Sequence, residues 1–147
     1  MKLSLDQATP EERALILAAV QARERAYAPY SHFKVGAALR LADGRIVTGV
    51  NVENVSYGLT VCAERNAIAA AVRDGAVVGD LVQVAVGAAS ASATAEPVPP
   101  CGACRQVLAE FATASLPVLL YNIPTDTIER CCLGELLPHG FAKSSLP

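Results

Sequence analysis

Cys62 and the pair Cys101–Cys104 stand at the openings of two separate apolar helical patterns, "CAERNAIAAAV" and "CGACRQVLAEFA". A fold in which these thiols act together must bring two helix starts to one place. One helical turn already sets Cys101 and Cys104 on one side. Between the two patterns lies "LVQVAVGA", a short valine-rich run suited to a central strand buried on both faces and ending near Gly87. The stretch "ASASATAEPVPP" that follows is small, polar and proline-rich, and reads as a loop delivering the chain to Cys101.

The remaining elements fit the same scheme. In "TPEE", Thr9 is an N-cap, Pro10 takes the first helical position and Glu12 follows three residues after the cap, which predicts a helix from Pro10 to about Ala26. Strands are expected near Val35–Leu41 and Ile46–Val50, joined at the turn Asp43-Gly44. The alanine-rich helix from Ala63 to Val72 closes at Asp74-Gly75. A third helix is expected over Gly102–Phe111, then a strand at "PVLLY", a weaker one at "DTIERCCL", and a short helical turn within "GELLPHGF". Strand pairs with interspersed helices predict a three-layer α/β/α sandwich with a mixed sheet of about five strands, and no internal repeats occur. At 147 residues one domain spanning 1–147 suffices.

Composition excludes several function classes. Apolar residues are 52% of the chain and charged ones 18%, so a core can form with apolar surface left for partner subunits. A net charge of −2 without a Lys/Arg cluster lacks the footprint of a nucleic-acid binder. Asp6, Glu11 and Glu12 interrupt the N-terminus where a signal peptide would be apolar, and no run reaches the length of a membrane span. A cytoplasmic chain is expected, whose cysteines are thiols or metal ligands rather than disulfides.

Three soft ligands without an evident fourth describe a catalytic zinc site, whose open position takes water. Glu64, two residues after Cys62, would sit beside such a metal, where a carboxylate can take a proton from the activated water and hand it on. Three thiolates on one dication leave negative charge. Two helix N-termini, each equivalent to about half a positive charge, would offset it, and Arg65 is near enough in sequence to donate to the sulfurs. Arg105 is either a similar donor or a surface residue. The alternatives are three buried small hydrophobes, or a closed four-sulfur site completed by Cys131 or Cys132. Those two are consecutive strand residues facing opposite sides and are read as structural. His32 and His139 lack a metal-ligand spacing.

Together "CAER", "PCGACR", "PYSHFKVGAAL" and "GVNVENVSYG" resemble the small zinc-dependent cytidine deaminases, from about Tyr27 to Phe141. The resemblance is to the three-cysteine branch and implies zinc held by Cys62, Cys101 and Cys104, and a homotetramer. It implies hydrolytic deamination of cytidine, and of deoxycytidine, to the uridine nucleoside and ammonia in pyrimidine salvage, with a zinc-bound hydroxide as nucleophile and Glu64 as proton shuttle. By the same resemblance Asn51 and Glu53 bind the ribose, on a strand continuing past Val50 that aims both side chains at one face. Phe33 packs on the pyrimidine and Ala63 contacts substrate. Tyr57 and Phe141 match positions lent to a neighbouring subunit's pocket. The spellings "VSYGLTV" and "ERCCLGELLPHGF" depart from the familiar pattern. Blasticidin S deaminases share the zinc motifs but tend to lack "CAER" and "NVEN", which favours a nucleoside substrate.

Overall fold

The structure, a computed structural model, describes residues 2–89 and 96–147. The first helix, α1, runs Pro10–Arg23 and opens as its sequence requires: Thr9 Oγ1 accepts from the Glu12 N–H at 3.2 Å, and the Glu12 carboxylate accepts from the Thr9 N–H at 3.0 Å. It stops three residues short of the expected Ala26. There the chain tightens into i→i−3 turns, Arg25 N–H to Ala22 O and Ala26 N–H to Arg23 O, before Tyr27 bridges to Val52.

Strands β2 (Val35–Leu41) and β3 (Ile46–Val50) form the expected hairpin, with Gly44 at φ +90° in its turn. Helix α2 (Ala63–Arg73) follows, then β4 (Leu81–Ala88), α3 (Gly102–Phe111), β5 (Pro117–Asn122), β6 (Thr127–Cys132) and the single turn α4 (Leu133–Leu136). Of the expected loop 89–100, residues 90–95 lie outside the described residues, and the rest carries no regular structure. The sheet has six strands rather than about five, because Lys2–Leu3 (β1) pairs antiparallel with Glu129 and Ile128 of β6. Two residues show no periodicity, so this edge strand left no sequence signal.

The strand order is β1-β6-β5-β4-β2-β3, with β4 and β5 the parallel pair and the other neighbours antiparallel. Alternation splits the side chains between two layers. Ala38, Ala85, Leu119 and Ile128 pack against Leu15, Ile16 and Ala19 of α1. Leu39, Val84, Val86, Val118 and Leu120 pack on the other face with Ala63, Ala67 and Ile68 of α2 and Leu108 of α3. This is the expected three-layer sandwich.

The topology also answers how two helix starts meet. Because β2 is antiparallel to both β3 and β4, the latter two point the same way. Helix α2 therefore starts beyond the C-terminal end of β3, and α3 beyond the C-terminal end of β4, on the same rim of the sheet. The segment entering β2, which carries Phe33, reaches that rim too.

Candidate metal centre and active site

Cys62 is the N-cap of α2, Cys101 the N-cap of α3, and Cys104 lies three residues inside α3. Their sulfurs all lie within 4.8 Å of one another; Cys62 to Cys101 is 3.8 Å and Cys101 to Cys104 is 3.5 Å. A tetrahedral cation with metal–sulfur bonds of about 2.3 Å needs sulfurs about 3.8 Å apart, so the three residues fit zinc. Cys131 and Cys132 do not join the cluster. The Cys131 thiol points to Val118 O at 3.6 Å, and burial, with Glu129 and Glu135 nearby, pushes it up to about 11; Cys132 caps α4. The closed four-sulfur reading therefore fails, and the pair is structural as expected.

Burial pushes the Cys62 thiol up against the pull of Arg65, and burial with the Glu64 carboxylate pushes Cys104 up strongly. Cys101 moves the other way: burial opposes ionisation, but the Cys104 backbone N–H, the Cys104 and Cys62 thiols and the Ala103 N–H at the start of α3 overcome it. A dication offsets the cost that burial imposes on Cys62 and Cys104. Arg65 acts where the sequence places it, its Nη2 lying 3.9 Å from Cys62 Sγ and donating to Thr60 O at 3.3 Å, with Nε buried and unpartnered.

Glu64 is 5% exposed, and its Oε2 accepts from the Cys104 thiol at 3.3 Å. A sulfur deprotonated to hold a cation no longer donates, which frees that oxygen. Ala63, the first residue of α2, is wholly buried. Arg105 is neither thiolate donor nor free surface residue: its Nε donates to Pro100 O at 2.7 Å and its Nη1 to Leu136 O at 2.6 Å, tying the Cys101 approach to α4.

Strand β3 ends at Val50, so it does not continue as expected, but Val52 bridges both Tyr27 and Val61 and keeps the backbone extended. Asn51 and Glu53 consequently reach one neighbour, the segment 30–35. Asn51 Nδ2 donates to Phe33 O and its Oδ1 accepts from Val35 N–H, both at 2.8 Å. Glu53 Oε1 accepts from the N–H groups of Tyr30 and Ser31 at 2.9 and 3.1 Å, and Oε2 accepts from Ser31 Oγ. These bonds hold the Glu53 carboxyl below its ordinary range, the Ser31 hydroxyl contributing most. Glu53 lines a cleft of about 240 Å³ with Tyr30, Ser31, Tyr57 and Thr60. Tyr57 is 75% exposed, its ring 5.9 Å from that of Tyr30.

Phe141 does not join this group within the chain. It lies 61% exposed in a groove with Gln106, Glu110 and the C-terminal tail, its carbonyl accepting from Gln106 Nε2 at 2.8 Å. Sequence reasoning missed Ser31, whose only signal is the turn "PYSHF", and Asn66, whose Nδ2 fastens α2 to Val50 O at 2.8 Å.

Three sulfurs at two helix starts, a buried carboxylate beside them and a mixed sheet beneath define a metal-dependent hydrolase site of the zinc deaminase kind. The pattern of the cytidine and deoxycytidylate deaminase zinc-binding region matches residues 9–120. The chain belongs to that family. It is 48% identical over 136 residues to a cytidine deaminase of Halalkalibacterium halodurans, covering 92% of this chain and 98% of the other. It is 48% identical over 132 residues to one of Sporosarcina psychrophila, covering 90% and 92%. The crystal structure of cytidine deaminase from Burkholderia pseudomallei superposes with a TM-score of 0.82 at 47% identity, covering 91% of this chain and 100% of that one.

Proposed function

We propose that this chain catalyses the hydrolytic deamination of cytidine and deoxycytidine, giving uridine or deoxyuridine and ammonia, as a step of pyrimidine salvage in the cytoplasm. No helix among the described residues is long and apolar enough to cross a membrane. The observation that carries the reading is the Glu64 carboxylate 3.3 Å from Cys104 Sγ, inside a three-sulfur cluster that fits zinc.

Zinc, when bound by Cys62, Cys101 and Cys104, supplies a Lewis acid that makes water nucleophilic near neutral pH. Glu64 does the proton work. Its freed oxygen takes a proton from the attacking water, passes it to N3 of the pyrimidine, and then supports departure of the amino group at C4 as ammonia. Arg65 and the starts of α2 and α3 hold the thiolate charge in place. Phe33 packs on the base and Ala63 borders it.

Asn51 and Glu53 are read as the sugar contacts, as the resemblance implies, and what their bonds leave open supports this. A carboxylate has about four acceptor positions, and the three bonds to Glu53 leave about one, on Oε2. Asn51 keeps one N–H of Nδ2 uncommitted. One hydroxyl that accepts from Asn51 and donates to Glu53 satisfies both, as a ribose 3′-hydroxyl does. Among the described residues no Lys or Arg lines the cleft to hold a phosphate, which supports nucleosides over nucleotides in this reading. A base-like antibiotic lacking the sugar would leave this pair unused.

The whole of 1–147 is read as one catalytic domain that assembles as a homotetramer, with Tyr57 and Phe141 completing neighbouring pockets. Support comes from the exposure of both, Tyr57 beside the cleft with Val55 and Leu59 in the same segment, and Phe141 in its separate groove. In the test of the function, Glu64→Gln keeps its zinc but loses about 10²–10⁴-fold in kcat, followed by the ultraviolet change as cytidine is consumed. Near-normal turnover with zinc bound would refute the assignment.

A further inference from the structure

We propose that Ser31 is a positioning residue that sets the preference for substrates bearing a 3′-hydroxyl, by aiming the open acceptor position of Glu53. The inference rests on the sugar-contact reading of Glu53 given above.

Ser31 Oγ is bonded on both sides: it donates to Glu53 Oε2 and accepts from the Phe33 N–H at 3.0 Å. The Phe33 amide thus fixes the hydroxyl rotor, because a hydroxyl that accepts along one direction donates along another. The two backbone donors, Tyr30 and Ser31, both address Oε1. They leave the carboxylate free to swing about that anchored oxygen. Among the described residues Ser31 Oγ is the single partner of Oε2, the oxygen that faces the substrate in this reading, so it directs where the remaining lone pair points. Without it, Oε2 has two open acceptor positions and no fixed direction, and a sugar hydroxyl must order it on binding.

The effect is separable from collapse of the loop. Asn51 grips Phe33 O and Val35 N–H independently of Ser31, and Tyr30 and Ser31 still donate their backbone N–H groups to Glu53 when the hydroxyl is absent. Ser31→Ala therefore keeps the segment in place while releasing one oxygen.

The test compares kcat/KM for cytidine with that for 3′-deoxycytidine in the wild type, Ser31→Ala, Ser31→Thr and Glu53→Gln, with zinc content measured for each. The wild-type ratio should fall about tenfold in Ser31→Ala, through KM for cytidine, be restored in Ser31→Thr, and fall in Glu53→Gln. An unchanged ratio in Ser31→Ala, whether both substrates lose equally or neither loses, overturns the proposal while leaving Glu53 as sugar contact if Glu53→Gln lowers the ratio. An unchanged ratio in Glu53→Gln overturns the sugar reading and the proposal together.

Discussion

Single residues here do unlike work under similar spellings. Glu64 and Glu12 are both acidic residues in the first turn of a helix. Glu64 faces a buried thiol cluster, whereas Glu12 closes a capping box and accepts from Arg130 Nε and Nη2 at 2.7 and 2.6 Å. That ion pair, opposed by burial and aided by the Thr9 N–H, holds the Glu12 carboxyl below its ordinary range. A depressed folded-state pKa contributes stability above the unfolded value and loses it as pH falls through the folded one. Glu12→Gln should cost about 0.5–1 kcal/mol near neutral pH, and its melting temperature should converge on that of the wild type as pH falls through the lowered Glu12 pKa. Parallel curves at all pH values would contradict this. The three-cysteine cluster and the acidic residue beside it were legible because their spacing at two helix starts is local, and the family resemblance added their roles. Ser31 was not, since a serine in a turn is ordinary and its partner lies 22 residues away.

At the scale of elements, most boundaries were readable because caps and turns are local chemistry: Thr9 and Pro10, Asp43-Gly44, and the starts of α2 and α3. The close approach of α2 to β3 was not, because it depends on what a residue lacks. A Cβ on Gly49 would fall 2.8 Å from Ala67 Cα and nearer still to the backbone of Ala67 and Ala63. Gly49→Ala must push away the helix that carries Cys62 and Glu64, and the expected cost is about 1–3 kcal/mol, read by thermal melts, together with lower zinc content and turnover. Wild-type melting temperature and zinc content in Gly49→Ala would show that the approach is not tight. Gly36 plays the same part against Ala19 of α1 on the opposite layer.

For the whole molecule, the exposed apolar residues of the 52–60 segment are the feature a lone chain does not explain: Val55 is 77%, Tyr57 75% and Leu59 66% exposed. The proposed homotetramer would cover them. Sedimentation should give about four times the chain mass. Leu59→Asp, near neutral for an isolated chain, should shift the species to lower mass and reduce turnover while zinc stays bound. A monomeric wild type with full activity would remove the assembly from the mechanism.

The common direction of β3 and β4 has one more result. With the thiols, Glu64 and the 30–35 segment gathered on one rim, the turn at Asp43-Gly44 and the connection from Asp74 to Asp80 sit together on the opposite rim, joined by Ala42 N–H to Asp80 O at 2.8 Å and Arg45 Nη1 to Asp74 O at 3.1 Å. Neither connection carries a thiol, Glu64 or a residue of the 30–35 segment, which makes the turn at Asp43-Gly44 a natural place to graft a label or a second module.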